Sequence, residues 1–72
     1  MKITQISVFL ENKEGRLKSA IDALAEKGIS IRTLTIAESR DFGVLRIIVE
    51  RPQDALEALK GRGFVASMTD IV

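Results

Sequence analysis

A short glycine-containing turn between a strand and a helix is the feature that most restricts the fold of this 72-residue chain. The alternating segment 6–10, Ile-Ser-Val-Phe-Leu, predicts a strand, and apolar residues at helical spacing begin at Leu17. Gly15 therefore falls in the first turn of the helix, where backbone N–H groups lack helical acceptors and the helix dipole is positive. Because glycine lets a ligand approach these groups closely, the sequence predicts an anion-binding position at this turn.

The remaining residues alternate between strand-like and helix-like segments. The sequence predicts strands over 3–10, 29–37, 44–50 and 64–72, and helices over about 14–27 and 52–60. Asn12 is a predicted N-cap, Gly28 a predicted C′ residue, and Pro52 suits the first turn of the second helix. The order βαββαβ predicts an α+β, ferredoxin-like fold, in which a four-stranded antiparallel sheet carries two helices on one face.

Apolar residues at regular spacing predict the core. The first strand places Ile6, Val8 and Leu10 on one face, and the first helix carries a stripe predicted to be buried: Leu17, Ala20, Ile21 and Leu24. The third strand is apolar on both faces over residues 44–49. A strand with one solvated face would alternate more cleanly, so we expect the open face or an edge of the sheet to pack on a second copy, domain or partner.

Composition excludes several functions. Eleven basic and ten acidic residues give a net charge of +1, which argues against nucleic acid as a partner. Without cysteine or histidine, neither a thiolate site nor an ordinary zinc site can form, and we expect no metal and no cofactor. No apolar run is long enough for a membrane span, so a cytoplasmic protein is predicted. Such a small core favours association between chains.

Four short motifs resemble those of the ACT domain, a small-molecule-sensing module of amino-acid metabolism. They are the segments 12–17 (Asn-Lys-Glu-Gly-Arg-Leu), 28–31 (Gly-Ile-Ser-Ile), 42–46 (Phe-Gly-Val-Leu-Arg) and 63–64 (Gly-Phe). Their order and spacing are similar to the ACT pattern over almost the whole chain. The resemblance is greatest to the first domain of small bacterial tandem-ACT amino-acid-binding proteins. It implies one ACT-like domain over residues 1–72, either alone or as the first half of a tandem pair.

The resemblance also implies a site and a role. Two ACT domains pair side by side, as a homodimer or a tandem pair, and bind an amino acid between them to regulate another activity. The side chain of Asn12 and the backbone amides of Gly15, Arg16 and Leu17 would hold the ligand. Ile29, Ser30 and Ile31 would line the seam from across the interface. The implied protein is not an enzyme.

Three other functions compete with this interpretation. The segment 40–47 partly resembles an RNA-recognition motif, but Val44 and Ile47 occupy the positions where that motif has the aromatic rings that stack on bases. A small phosphatase could use Arg16 and Asn12, although Arg16 lies just inside the helix with its side chain directed away, and no histidine or cysteine can act as acid or base. A ligand-free dimerisation module is the main alternative, since Glu14 and Ser30 replace the proline and asparagine of many relatives.

Overall fold

The computed structural model describes residues 3–11 and 13–71, which form six helices and strands in the predicted order. They are β1 (Ile3–Glu11), α1 (Lys13–Glu26), β2 (Ile31–Glu38), β3 (Phe42–Val49), α2 (Pro52–Gly61) and β4 (Val65–Ile71). The predicted bounds agree with these to within two residues, apart from residue 72, which lies outside the described residues. The α+β class and the βαββαβ order are confirmed.

The four strands form one antiparallel sheet in the order β2-β3-β1-β4. The central strands β1 and β3 pair Ile6 with Ile47 and Val8 with Leu45, so their buried residues share one face. Both edges of the sheet, β2 and β4, have only one neighbouring strand among the described residues. The helices cover one face, as predicted, and the opposite face is open.

The core lies between the helices and the covered face of the sheet. Fourteen apolar side chains are buried there: Ile6, Val8, Leu10, Ala20, Ala23, Leu24, Ile29, Leu45, Ile47, Val49, Ala55, Leu59, Phe64 and Ala66. Within the described part of the chain, no polar or charged side chain is buried. The prediction that the even-numbered residues 6, 8 and 10 face the core is confirmed.

One residue predicted to be in the core lies at the surface. Ile21 is 36% exposed, whereas Ala20 and Leu24 are buried and Leu17 packs against the core from its margin. Ala23, absent from the predicted stripe, is only 3% exposed. Residues 20, 23 and 24 therefore mark the centre of the buried face, and Ile21 lies about 100° away from Ala20 around the helix.

Both helices end in glycine turns. The N–H of Ile29 donates to the carbonyl of Leu24 at 3.0 Å, and Gly28 adopts a φ of +67°, which confirms it as the C′ residue. At the end of α2, Phe64 donates in the same way to Leu59 at 3.1 Å, and Gly63 has a φ of +85°. The predicted N-cap, Asn12, lies outside the described residues.

The edge strand β2 contains a bulge near its start. Ile31 pairs with Val49 and Thr33 with Ile48, so Arg32 is an extra residue without an opposite partner on β3. From Thr33 to Glu38 the pairing with β3 is regular. The bulge thus leaves the second part of β2 as a continuous free edge.

Candidate functional site

The first turn of α1 lies at the end of the sheet where β1 finishes and β2 also finishes. Glu11 pairs with Phe42, and Glu38 pairs with Gly43, so both strand ends lie beside the beginning of β3. A chain that leaves β1 at Glu11 and enters α1 at Lys13 must place the start of the helix over this corner. The helix N-terminus and the end of the β2 edge are therefore neighbours.

A groove of about 380 Å³ lies between the first turns of α1 and the end of β2. Its lining is apolar except for two carboxylates and consists of Leu10, Glu14, Leu17, Ile36 and Glu38. Leu10 is fully buried, while Leu17 and Ile36 are half-buried and pack against the core. The groove therefore combines an apolar surface with the positive end of a helix and two acidic groups.

Gly15 is exposed in the first turn of α1, and the fold gives no reason for a glycine at this position. A Cβ built at Gly15 would meet no atom within 4 Å, and its φ is outside the left-handed region. Glycine inside a helix is less stable than alanine by about 0.5–1 kcal/mol. The space above its backbone is thus open to a molecule outside the described chain.

The helix register determines which backbone amides can serve a ligand. Since α1 begins at Lys13, the i→i−4 ladder already engages the N–H of Leu17 with the carbonyl of Lys13. Amides of the first turn, including those of Glu14 and Gly15, precede this ladder. Of the amides that the family resemblance implied, that of Gly15 lies in this first turn, although Gly15 does not itself line the groove, and Leu17 contributes its side chain to the lining.

The side chain of Arg16 lies on the opposite flank of α1. Its guanidinium group is 3.9 Å from the centre of the buried Phe64 ring, and it lines a shallow depression of about 230 Å³ with Phe9, Glu11, Gly63 and Val65. This matches the prediction that the Arg16 side chain is directed away from the groove.

The second group of predicted site residues lies at the far end of the sheet. Ile31 begins β2 and Glu38 ends it, seven residues later, which corresponds to about 23 Å along a strand. Ile29 is 6% exposed and belongs to the core, Ile31 is half-buried, and Ser30 is exposed, with its carbonyl accepting the N–H of Glu50 at 3.4 Å. Within one chain, these residues do not meet the first turn of α1.

Four groove residues were missing from the predicted site: Leu10, Glu14, Ile36 and Glu38. Leu10 looked like an ordinary core residue, and the predicted strand 29–37 stopped one residue short of Glu38. The alternation Leu34, Ile36, Glu38 could have indicated one face of β2. Only the pairing of β2 beside α1 shows that this face meets the helix start.

A larger cavity, of about 500 Å³, lies between the C-terminal end of α1 and α2. Three of its charged side chains, those of Arg51, Asp54 and Arg62, have partners. Arg51 donates to the carbonyls of Lys27 and Gly28 at 2.9 and 3.1 Å and lies 3.6 Å from the carboxylate of Asp54, and Arg62 pairs with Glu26. These contacts close the end of α1 and leave the groove at its start as the better candidate for a ligand.

The fold defines a class of protein: a small α+β domain of the ferredoxin-like type. The family model described as "ACT domain pair" matches residues 1–72, and the chain belongs to this family. ACT domains are regulatory ligand-binding domains. A search of the curated proteins found no match.

Solved structures agree with this assignment. Protein BT0572 from Bacteroides thetaiotaomicron is 47% identical over 97% of this chain, with a TM-score of 0.94. The ACT domain of prephenate dehydrogenase from Bacillus anthracis is 32% identical, with a TM-score of 0.79, over 88% of this chain and 99% of that one. The chain spans 49% of the length of the Bacteroides protein.

A more distant structure shares the fold. The ligand-free regulatory subunit of aspartate kinase from Thermus thermophilus is 24% identical, with a TM-score of 0.80, over 93% of this chain and 50% of that one. No α-helix within residues 3–11 and 13–71 is long and apolar enough to cross a membrane.

Proposed function

We propose that this domain binds a free amino acid in the groove between α1 and β2 and thereby regulates a partner domain or protein. The observation that carries the proposal is the groove itself, where an apolar surface and two glutamates lie within one small volume beside the first turn of α1. Family membership supports a regulatory role, since ACT domains bind ligands and pair with one another.

The groove suits the three parts of an amino acid with an aliphatic side chain. The ligand carboxylate would accept hydrogen bonds from first-turn amides at the positive helix end, where the open space above Gly15 permits close contact. Asn12 would contribute its side chain there. The ammonium group would lie toward the carboxylates of Glu14 and Glu38, and the aliphatic chain would pack on Leu17 and Ile36.

A second domain would complete the site across the free edge of β2. When two such edges pair antiparallel, the start of one β2 lies beside the end of the other. The 23 Å that separates Ile31 from Glu38 in one chain would then be bridged, because residues 29–31 of the partner would lie beside this groove. That partner is a second copy of the chain or the other domain of a tandem pair.

Regulation would follow from differential affinity. A ligand held by both domains binds the paired arrangement more tightly than any other, so its binding shifts the population toward that arrangement. No chemical step by the domain is needed. Its output is the relative position of the two domains, which a linked protein can read.

The first experiment is a thermal-shift screen of the protein against the free amino acids. A ligand at about 100 times its Kd stabilises the folded state by roughly 2.7 kcal/mol, which raises the Tm of a small domain by about 10 °C or more. We expect a shift with one or a few aliphatic amino acids. Gly15→Asp should remove the shift, because it adds bulk and negative charge beside the amides.

Two control variants test the location and the chemistry of the site. Gly61→Asp makes the same change at a helical glycine of α2 that also has open space around its Cα, and it should leave the shift intact. Glu14→Gln should weaken binding if this carboxylate faces the ammonium, whereas Glu57→Gln on α2 should not. A normal shift in a folded Gly15→Asp variant would exclude the groove.

A ligand-free dimerisation module remains the second candidate, and one observation favours it. Glu14 and Glu38 both line the groove, and their negative charge opposes the carboxylate of an incoming ligand. This role predicts that no amino acid changes the Tm, while Leu34→Pro, which removes an N–H from the free β2 edge, still weakens pairing through that edge.

A further inference from the structure

The open face of the sheet carries one apolar row that crosses all four strands. Ala37 lies opposite Val44, Val44 opposite Phe9, and Phe9 opposite Val65. Residues directly opposite one another in an antiparallel sheet share a face, so these four side chains form a continuous line. Thr35, Arg46, Ser7 and Ser67 form the next row and are all polar or charged.

The side chains of this row are unusually exposed for apolar residues. Val65 is 72% exposed and Phe9 is 42% exposed. Phe42, one row further on, is also 42% exposed, and its ring centre lies 5.4 Å from that of Phe9. Contacts within the chain thus leave these three side chains partly or largely exposed to solvent. The large apolar residues of the covered face are mostly buried.

Two opposite charges flank the apolar row at equal distances. Arg46 lies two residues beyond Val44 on β3, and Glu11 lies two residues beyond Phe9 at the other end of β1. Both are exposed, and no ion pair within residues 3–11 and 13–71 holds either of them. Each lies about 7 Å along the strands from the row, in opposite directions.

We propose that a second copy of this chain covers the open face, with the two-fold axis along the row Ala37, Val44, Phe9 and Val65. Rotation about this axis reverses the strand direction, so the apolar row packs on its own copy. Arg46 of each chain then lies over Phe42 of the other, one strand (about 4.8 Å) to the side of Glu11, with the sheets about 10 Å apart, so its long side chain reaches the Glu11 carboxylate. The two ion pairs are equivalent, as a two-fold interface requires.

The available area fits a dimer of modest affinity. Strands of seven to nine residues and about 25 Å in length, in a sheet about 19 Å wide, present about 500 Å² per chain. The total of about 1,000 Å² is at the lower limit for a specific interface. Association should therefore depend on protein concentration. This face is separate from the free edge of β2, so both surfaces can be occupied at once.

Sedimentation velocity over a concentration series tests the proposal by charge exchange. Arg46→Glu alone places like charges together in both pairs, and so does Glu11→Arg alone. Each change should raise the dimer Kd at least about tenfold. An equimolar mixture of the two variants should restore association, because every pair in the mixed dimer is again of opposite sign. Only a second copy related by this axis predicts that rescue.

Further variants separate this face from other surfaces. Val65→Lys should also weaken the dimer, whereas Lys60→Glu on α2 repeats the charge change of Arg46→Glu on the covered side and should have no effect. Leu34→Pro, which removes an N–H from the free edge of β2 at a residue of the covered side, should leave the face dimer intact. A protein that is monomeric at all concentrations would overturn the proposal. So would a dimer lost only in Leu34→Pro, or a mixture of the two charge variants that fails to associate.

Discussion

The guanidinium group of Arg16 lies 3.9 Å above the centre of the Phe64 ring. The contact joins the first turns of α1 to the residue that leads from α2 into β4. It holds the arginine on the flank of α1 away from the groove, whereas Glu14, among the described side chains of these turns, lines the groove. Phe64 is 4% exposed, which fixes the position of its ring.

This contact should be measurable as a coupling energy. A cation above an aromatic ring at a partly exposed site contributes about 0.5–1 kcal/mol. We expect that coupling between Arg16→Gln and Phe64→Leu in a double-mutant cycle, measured by urea unfolding. Arg40→Gln, in the exposed turn between β2 and β3, should show no coupling to Phe64→Leu. Additive effects for the Arg16 pair would contradict the contact.

Alanine substitutions should distinguish the glycines that the turns require from those they do not. Gly28→Ala and Gly63→Ala place a Cβ at positive φ and should each cost about 1–2 kcal/mol of unfolding free energy. Gly61→Ala adds a Cβ to a helix in open space and should gain up to about 1 kcal/mol. Thermal or urea unfolding of the three variants measures whether each change raises or lowers the unfolding free energy. A stabilised Gly63→Ala variant would be inconsistent with the turn geometry.

Gly15→Ala should separate stability from binding. Its Cβ meets no atom of the described chain, so the domain should gain up to about 1 kcal/mol, as for Gly61→Ala. Ligand affinity should fall only in Gly15→Ala, because the added methyl group lies above the first-turn amides. Calorimetric titration of both variants with the amino acid found in the screen makes the comparison. Equal affinities would show that the ligand does not approach this backbone.

Truncation on α1 should reveal which residues belong to the core. Leu24→Ala should cost about 2–4 kcal/mol, because the side chain is almost fully buried. Ile21→Ala should cost less than about 1 kcal/mol in the isolated domain, because the side chain is partly exposed. Urea unfolding at low protein concentration, where chains are separate, measures both. A loss of several kcal/mol of unfolding free energy in Ile21→Ala would instead show that Ile21 belongs to the core, as the predicted stripe had it.

Local patterns predicted the elements of the fold well. Alternation in β1, the Gly28 turn and Pro52 at the start of α2 are properties of neighbouring residues, so the sequence alone reveals them. The burial of α1 was harder to predict, because Ile21 and Ala23 lie on opposite sides of Ala20 around the helix, at about 100° and 60°. The rotation of α1 about its own axis, relative to the sheet, determines which of the two side chains is buried. The spacing of apolar residues along the helix does not reveal this rotation.

The candidate site depended on long-range pairing. Gly15 could be singled out from its place in a helix start, but Ile36 and Glu38 join it only because β2 pairs with β3 in one particular register. The same holds for the apolar row of the open face. Phe9, Val44 and Val65 come from three distant segments, and a shift of one residue in either pairing would separate them.

The bulge at Arg32 bears on the solubility of the protein. An exposed edge strand that is long and flat can add copies without limit, which leads to fibrous aggregates. In β2, the extra residue interrupts the edge and increases its twist, so only the segment 33–38 can serve as a regular template. The segment to which a partner domain can attach is thus kept short, and a short edge limits growth into a fibre.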